Sequence, residues 1–161
     1  MGRARQIAVI GAGRCEQGSE PWASAEEVGR RLAEAGAVVI CGGAGGVMEA
    51  VAAGARERGG TVIGISPGES PDHANAHCTH VVATGVGHAR NLAVVASGEA
   101  VIAIGGEWGT LTEIAFARRL GRTVAALGTW MVEGRGSMAE APGIVEVATP
   151  AEAVETALAA G

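Results

Sequence analysis

Short apolar runs rich in valine and isoleucine alternate with longer amphipathic stretches along this chain, and this alternation most constrains how it can fold. The runs are apolar on both faces, which is typical of strands in a parallel sheet that helices cover on both sides. An almost strict alternation of strand and helix indicates an α/β fold with right-handed crossovers. We therefore predict a three-layer α/β/α fold around a mostly parallel sheet of about six or seven strands.

The periodicity predicts an alternating series of strands and helices. The strands are expected at Ile7–Ile10, Ala37–Cys41, Thr61–Ile65, His80–Ala83, Ala100–Ile104, Thr123–Leu127 and Ile144–Val147. The helices are expected at Ser24–Ala35, Val47–Arg58, Arg90–Ser97, Gly109–Leu120 and Ala151–Ala160. Ser24 and Glu27 have the spacing of a capping box, which predicts that the first helix begins there. The stretches 66–78 and 128–143 show little periodicity and are predicted to be loops.

The length and composition exclude several classes of protein. A chain of 161 residues corresponds to one domain, which we expect to span residues 1–161. All 12 basic residues are arginine, and the lack of lysine excludes a pyridoxal phosphate enzyme, a lysine decarboxylase included, and a Walker A phosphate loop. The net charge of −5 and the aromatic content of 2% argue against a nucleic-acid partner, which requires basic patches and stacking rings.

The cysteines and the apolar runs indicate the cell compartment in which we expect this protein. Cys15, Cys41 and Cys78 are an odd number without a C-x-x-C pair, which is typical of reduced thiols in a cytosol. No run approaches the roughly 18 apolar residues of a membrane span. We therefore expect a cytoplasmic protein with no membrane partner. The helix Arg90–Ser97 is almost wholly apolar, so it is either central in the fold or part of a subunit interface, and we expect a homodimer or a higher homo-oligomer.

Glycine-rich turns follow several of the predicted strands. In an open parallel sheet, ligands bind outside the carboxyl ends of the strands. Glycine lets backbone N–H groups approach a ligand, and each following helix presents its positive N-terminus, so the turns predict a phosphate site. The glycines assigned to this site are Gly11, Gly13, Gly42, Gly43, Gly45, Gly46, Gly105, Gly106 and Gly109. The alternative is that tight strand-to-helix turns simply favour glycine. A dinucleotide site is unsupported, because Glu16 replaces the third glycine of that fingerprint and Cys41 its acidic residue.

The segment Gly105–Glu113 is the most specific of these signals, since it joins a glycine turn to a Trp and to Thr110-x-x-Glu113. The Thr110 hydroxyl and the neighbouring N–H groups can face a phosphate while Glu113 lies one turn into the helix. The alternative is an ordinary capping box, in which Glu113 bonds a backbone N–H. Trp108 can stack on a base or a pterin ring, or pack against a neighbouring loop or a second subunit.

A metal site is not predicted. Residues with metal-ligand chemistry lie close together in the first predicted loop and the strand after it, namely Asp72, His73, His77, Cys78 and His80. Their spacing matches no familiar metal-binding motif, so we interpret them as loop residues that face solvent.

Three segments resemble motifs of one protein family. CGGAGGVMEA at Cys41–Ala50 is similar to the GGGxxGxM turn of the LONELY GUY (LOG) proteins, which were long mislabelled lysine decarboxylases. IGGEWGTLTE at Ile104–Glu113 is similar to their PGGxGTxxE motif. GHARN at Gly87–Asn91 resembles a degraded form of their MHxRK segment. The order and separations also match, and the resemblance covers about residues 5–130.

The resemblance implies a Rossmann-like fold, usually in a homodimer, and a phosphoribohydrolase that releases the free base from a nucleoside 5′-monophosphate. Carried over residue by residue, it makes Arg90 and Glu113 the catalytic pair. It also implies that the 5′-phosphate is cradled by Gly105, Gly106, Gly109 and Thr110. Adenine nucleotides are the substrates that the resemblance favours.

Ile104, Gly87 and Asn91 depart from these motifs, where the family has Pro, Met and Lys. With the short first turn, they resemble the small bacterial branch that is similar to the molybdenum cofactor carrier proteins. Two hypotheses therefore stay open, a phosphoribohydrolase and a non-catalytic carrier or sensor for the molybdenum cofactor or a nucleotide. Either one binds a small phosphorylated ligand, a nucleoside monophosphate or molybdopterin, and neither requires a resident cofactor.

Overall fold

The computed structural model describes residues 2–134 and 143–160. Within these residues the strands are β1 (Gln6–Gly11), β2 (Val38–Cys41), β3 (Val62–Ser66), β4 (His80–Ala83), β5 (Ala100–Ile104), β6 (Val124–Leu127) and β7 (Ile144–Val147). The helices are α1 (Glu20–Glu34), α2 (Val47–Glu57), α3 (Arg90–Ser97), α4 (Trp108–Arg119) and α5 (Pro150–Ala159), with two short 3₁₀ turns between β3 and α3. Each predicted strand and helix overlaps one of these elements. Residues 135–142 of the second predicted loop lie outside the described residues.

The strands form one sheet in the order β4-β3-β2-β1-β5-β6-β7, and every neighbouring pair is parallel. From β1 the chain builds the sheet outward through β2, β3 and β4, and it then returns to add β5, β6 and β7 on the other side. The loops that follow β1 and β5 therefore leave the sheet in opposite directions. This is the switch point at which open α/β sheets bind ligands. The topology confirms the predicted Rossmann-like α/β fold.

Helices cover both faces of the sheet, which explains why its strands are apolar on both sides. One face packs against α1, α2 and α5 through buried side chains such as Val28, Val51 and Val154. The other face packs against α3 and α4 through Val95 and Ile114. In the part of the chain that the structure describes, no helix is long and apolar enough to cross a membrane.

The helices α1 and α2 pack together closely because each has a glycine at the contact. A Cβ atom on Gly29 would overlap the carbonyl oxygen of Val51, and one on Gly54 would overlap that of Glu26. Two backbones can approach to this distance only where neither carries a side chain. The pair fixes the position of α2, and with it the glycine turn from which α2 begins.

The first helix begins earlier than its sequence predicts. Ser19 is the N-cap residue and α1 begins at Glu20, so the capping box predicted for Ser24 and Glu27 is wrong. Pro21 lies in the first turn, where its fixed φ and missing N–H suit a helix start. Glu27 instead forms ion pairs with Arg30 and Arg31 along the helix surface.

Candidate functional site

A pocket of about 410 Å³ opens at the carboxyl ends of β1 and β5, at the switch point of the sheet. The turns after β1, β2 and β5 contribute to its wall, together with the first residues of α3. The lining residues are Val9, Ile10, Gly11, Ala12, Gly13, Arg14, Gly42, Met48, Arg90, Asn91, Glu107, Gly109, Thr110 and Glu113. The structure thus brings both predicted catalytic residues into one pocket with several predicted glycines.

Backbone contacts hold the turn after β1 between β5 and α2. The N–H of Ala12 donates to the carbonyl of Ile104 at 3.2 Å, and the N–H of Val47 donates to the carbonyl of Ala12 at 2.9 Å. Gly11 has no room for a side chain, because a Cβ atom there would overlap the Ile104 oxygen. Gly46 has a φ of +63°, and a Cβ atom there would overlap the carbonyl oxygen of Ala12. These two glycines therefore allow the backbone segments of the pocket wall to pack closely together.

The turn after β5 delivers the start of α4 to the pocket. Gly105 and Gly106 have φ of +57° and +101°, a conformation that favours glycine. A Cβ atom on Gly106 would overlap the hydroxyl of Thr110, which is buried beneath the turn. Glu107 is the N-cap residue, and its side chain makes no capping hydrogen bond. The first N–H groups of α4 are thus not capped by that side chain, a typical arrangement for binding an anion.

The alternative interpretation of Thr110 and Glu113 as a capping box is wrong. Thr110 lies inside the first turn of α4 rather than at its N-cap, which is Glu107. Among the described residues, none donates a hydrogen bond to the carboxyl group of Glu113. Glu113 lines the pocket, and the residue as a whole is 9% exposed.

Arg90, the first residue of α3, lies directly against the glycine turn after β2. A Cβ atom on Gly42 would overlap Nη1 of Arg90, so the guanidinium occupies the space that a side chain there would fill. Nη1 donates to the carbonyl of Ile65 at 3.3 Å. Nε is buried without a hydrogen-bond partner in the described part of the chain. Burial lowers the pKa of Arg90 and the charge of Glu113 opposes this, but the group stays a cation because its ordinary pKa is so high.

The pKa of Glu113 is raised to about 7. Burial is the larger cause, since it penalises the carboxylate, and the nearby charge of Arg90 acts in the opposite direction. A carboxyl group with this pKa exists in both protonation states near neutral pH. It can therefore donate or accept a proton within the pocket.

Trp108 lies at the start of α4 but does not line the pocket. Its side chain is 73% exposed, and its ring centroid lies 5.1 Å from that of Trp130 with 35° between the planes. The Nε1–H of Trp130 donates to the carbonyl of Glu107 at 3.1 Å. The neighbouring Thr129 hydroxyl donates to the carbonyl of Gly105. The loop after β6 thereby supports the β5 turn from outside, a role that the sequence analysis did not assign to Thr129.

The predicted glycines divide into two groups. Those that line the pocket are Gly11, Gly13, Gly42 and Gly109. Those that do not line it are Gly43, Gly45, Gly46, Gly105 and Gly106. Gly43 packs against Gly64 of β3, with 3.5 Å from a Cβ atom on Gly43 to Gly64 Cα. All of the second group except Gly45 have the positive φ that favours glycine, so the alternative interpretation, that tight turns favour glycine, describes part of the motif.

The structure adds lining residues that the sequence analysis did not assign to the site, above all Arg14, Met48 and Asn91. Each of them lies within two residues of a glycine or arginine that was assigned, and this proximity is the signal that could have found them. Arg14 brings a second positive charge to the pocket. The pocket therefore presents two cations, Arg14 and Arg90, beside two carboxyl groups, Glu107 and Glu113.

Within residues 2–134 and 143–160, no cluster of three or more His, Cys, Asp or Glu could hold a metal ion.

Comparisons with known proteins find a relative in sequence and several solved structures with the same fold. An uncharacterized protein of Archaeoglobus fulgidus is 48% identical over 122 residues, which are 76% of this chain and 79% of that protein. Among solved structures, the molybdenum cofactor carrier protein of Chlamydomonas reinhardtii is similar with a TM-score of 0.83 and 28% identity, covering 98% of both chains. The molybdenum cofactor binding protein of Rippkaea orientalis gives a TM-score of 0.81 and 28% identity, covering 95% of this chain and 94% of that one. These relatives confirm the suspected branch, related to LOG proteins and molybdenum cofactor carriers. The model of the SLOG cluster4 family matches residues 4–154, and the chain belongs to this family.

Proposed function

We propose that this chain is a binding or carrier protein for a small phosphorylated ligand, with the molybdenum cofactor as the first candidate. The observation that carries the proposal is the position of Arg90, whose buried Nε has no partner beside a pocket that the start of α4 also lines. A guanidinium with free donors and a helix N-terminus both suit a phosphate group. Similar solved structures are molybdenum cofactor carrier or binding proteins. The pterin of that cofactor ends in a phosphate, the group that Arg90 and the start of α4 suit.

The test is retention of the ligand by the purified protein. Molybdenum cofactor released anaerobically from a molybdoenzyme is mixed with the protein, and gel filtration separates bound from free pterin and molybdenum. We expect co-elution with the wild type and at least about tenfold weaker retention by Arg90→Ala, because a hydrogen bond to a charged group contributes roughly 1.5–3 kcal/mol. Arg58→Ala is the matched control, since Arg58 is exposed and pairs with Glu34 away from the pocket. Equal retention by both variants would contradict the proposal.

A second candidate is hydrolysis of a nucleoside 5′-monophosphate to its free base. The observation in its favour is the buried carboxyl of Glu113, with a pKa of about 7, in the same pocket as Arg90. Breaking the N-glycosidic bond builds positive charge on the ribose, which a carboxylate stabilises. In this scheme Arg90 holds the phosphate or the ribose hydroxyls, and Glu113 also orients or deprotonates the attacking water.

Free base released from AMP, GMP, CMP, UMP or IMP separates the two candidates. Release by the wild type that Glu113→Gln abolishes supports hydrolysis. Binding of a nucleotide or of molybdopterin without release supports the carrier.

We further propose a cytoplasmic homo-oligomer without a nucleic-acid partner. The exposed apolar side chains of Val86 and Leu92 beside and on α3 support an interface there, and light scattering after gel filtration measures the oligomeric state.

A further inference from the structure

Two cysteines lie close together beneath the turn that follows β2, and neither lines the pocket. Cys41 ends β2 and is fully buried, whereas Cys78 precedes β4 and is partly buried against the same core. The residue paired with Cys41 across the sheet is Gly64 on β3. Because side chains alternate between the faces of a sheet, paired residues of neighbouring strands point to the same face. The space above Gly64 is therefore next to the side chain of Cys41.

The sulfur of Cys78 occupies that space. A Cβ atom on Gly64 would lie only 2.6 Å from Cys78 Sγ. Neighbouring strands are roughly 4.8 Å apart, so this position brings the sulfur beside the Cys41 side chain. The two thiols are close enough that hydrogen bonding between them shifts the pKa of each. The absence of a side chain at Gly64 is what permits the pair.

Asn75 keeps Cys78 in this position. Its backbone N–H donates to the carbonyl of Gly43 at 2.8 Å, and its side-chain Nδ2 donates to that of Ala44 at 2.9 Å. The N–H of Cys78 donates to the carbonyl of Asn75 at 3.3 Å, and the thiol donates to Asn75 Oδ1 at 3.7 Å. The loop that carries Cys78 is thus attached to the turn that begins directly after Cys41.

We propose that Cys41 and Cys78 form a redox-active pair that a hydroperoxide oxidises reversibly to a disulfide. The side-by-side thiols, the glycine that makes room for them and the anchored loop support this assignment. The third free thiol, Cys15, lies on the turn after β1 rather than after β2 or before β4.

The reaction proceeds in two steps that balance. The Cys78 thiolate sulfur attacks the hydroperoxide, the O–O bond breaks, and an alcohol or water leaves with a proton from solvent, so that Cys78 becomes a sulfenic acid. The Cys41 sulfur then attacks Cys78 Sγ, the S–O bond breaks, and water leaves with the Cys41 proton. The two thiols together lose two electrons, and the hydroperoxide gains them.

The order of the steps follows from the environments of the two thiols. The hydrogen bond with Cys41 lowers the pKa of Cys78, and burial only partly opposes it. The same hydrogen bond, followed by burial, raises the pKa of Cys41 well above its ordinary value. The thiolate is the nucleophile, so the more exposed Cys78 reacts with the oxidant and the buried Cys41 resolves the product.

The test oxidises the reduced full-length protein with a small excess of hydrogen peroxide, unfolds it in guanidinium chloride because Cys41 is buried, and then blocks free thiols with iodoacetamide. We expect a mass lower by two hydrogens before alkylation, one alkylated cysteine in place of three after it, and a linked peptide pair that contains Cys41 and Cys78. Dithiothreitol restores three alkylated cysteines, because thiol exchange reverses the bond. Cys15→Ser is the matched control, and it loses the same two hydrogens.

The single variants Cys41→Ser and Cys78→Ser keep the inference falsifiable. Each is first checked for a wild-type circular dichroism spectrum, and neither then loses two hydrogens. With Cys41→Ser, the sulfenic acid on Cys78 persists and is trapped by dimedone. Three alkylated cysteines after oxidation of the wild type, or a linked peptide that contains Cys15, overturns the proposal.

Discussion

Arg90 and Glu113 reach one pocket from α3 and α4, and each shifts the pKa of the other, although no ion pair joins them among the described residues. The guanidinium lies against Gly42 and bonds the backbone of β3, so it is held in place by the turn rather than by the carboxyl group. Burial is therefore the dominant influence on the pKa of Glu113. The result is a fixed cation beside a carboxyl group that titrates near neutrality.

The stability of the ligand-free protein should fall as pH rises, because of Glu113. Its pKa in the folded state is raised from 4.5 to about 7, so the folded state holds the proton more tightly than the unfolded state. The stabilisation is fully present below pH 4.5 and is lost as pH rises through about 7. The shift corresponds to about 3 kcal/mol.

Urea unfolding at pH 5 and pH 8 measures this effect against Glu113→Gln, which cannot titrate. The free energy of unfolding of the variant, relative to that of the wild type, should increase by about 2–3 kcal/mol between the two pH values. Glu155→Gln is the control, because Glu155 is exposed on α5 and does not line the pocket. A difference between Glu113→Gln and wild type that stays constant with pH would contradict a raised pKa.

Gly42→Ala should weaken phosphate-ligand binding without unfolding the protein. The new Cβ would overlap the Nη1 atom of Arg90 and lie 2.6 Å from Met48 Sδ, and both are the ends of flexible side chains that can move. The guanidinium would leave its position, and we expect a loss of about tenfold in affinity. A double-mutant cycle with Arg90→Ala isolates the coupling between the two positions.

If Gly42 acts through Arg90, adding Gly42→Ala to Arg90→Ala costs no further affinity, as isothermal titration with the ligand that the protein retains would show. Fully additive losses would mean that Gly42 contacts the ligand itself.

The fold could be predicted from sequence because its signals are local and repeated. Each predicted Val/Ile run becomes a strand, and helices cover the central strands on both sides, whereas the edge strands β4 and β7 stay partly exposed. The bounds of β4, β5, β7 and α3 are those predicted. The start of α1 was missed, since Ser24 and Glu27 offer a capping signal that Ser19 and Pro21 override.

The site could be predicted only in part, because glycine makes room either for a group at the pocket or for a neighbouring backbone, and the sequence does not distinguish these two roles. Gly42 and Gly46 belong to the same turn, yet one makes room for Arg90 beside the pocket and the other for the Ala12 carbonyl. Telling them apart requires the neighbours across the sheet. The same holds for Trp108, whose contact with Trp130 depends on how the loop after β6 returns to the turn after β5.

Gly29→Ala should strongly destabilise the protein even though alanine favours helix. The added Cβ would overlap the Val51 carbonyl oxygen, a backbone atom that cannot move without shifting α2. We expect a loss of about 2–4 kcal/mol in the free energy of unfolding, since overpacking outweighs the gain in helix propensity. Gly13→Ala is the control, because no atom lies within 4 Å of a Cβ there and its φ is not positive. Denaturation midpoints that match for the two variants would contradict close packing of α1 on α2.

Trp130→Phe should loosen the turn that delivers α4 to the pocket. It keeps an aromatic ring against Trp108 but removes the hydrogen bond from Nε1 to the Glu107 carbonyl, at the N-cap of α4. The expected loss is about 1 kcal/mol in the free energy of unfolding, with a weaker ligand affinity measured by titration. Trp22→Phe is the matched control, because Trp22 packs against the core on the α1 side of the sheet and makes no described contact with this turn. If both variants bind ligand equally well, the hydrogen bond of Trp130 does not position the start of α4, and the bond from Thr129 to Gly105 in the same loop is enough to hold that turn.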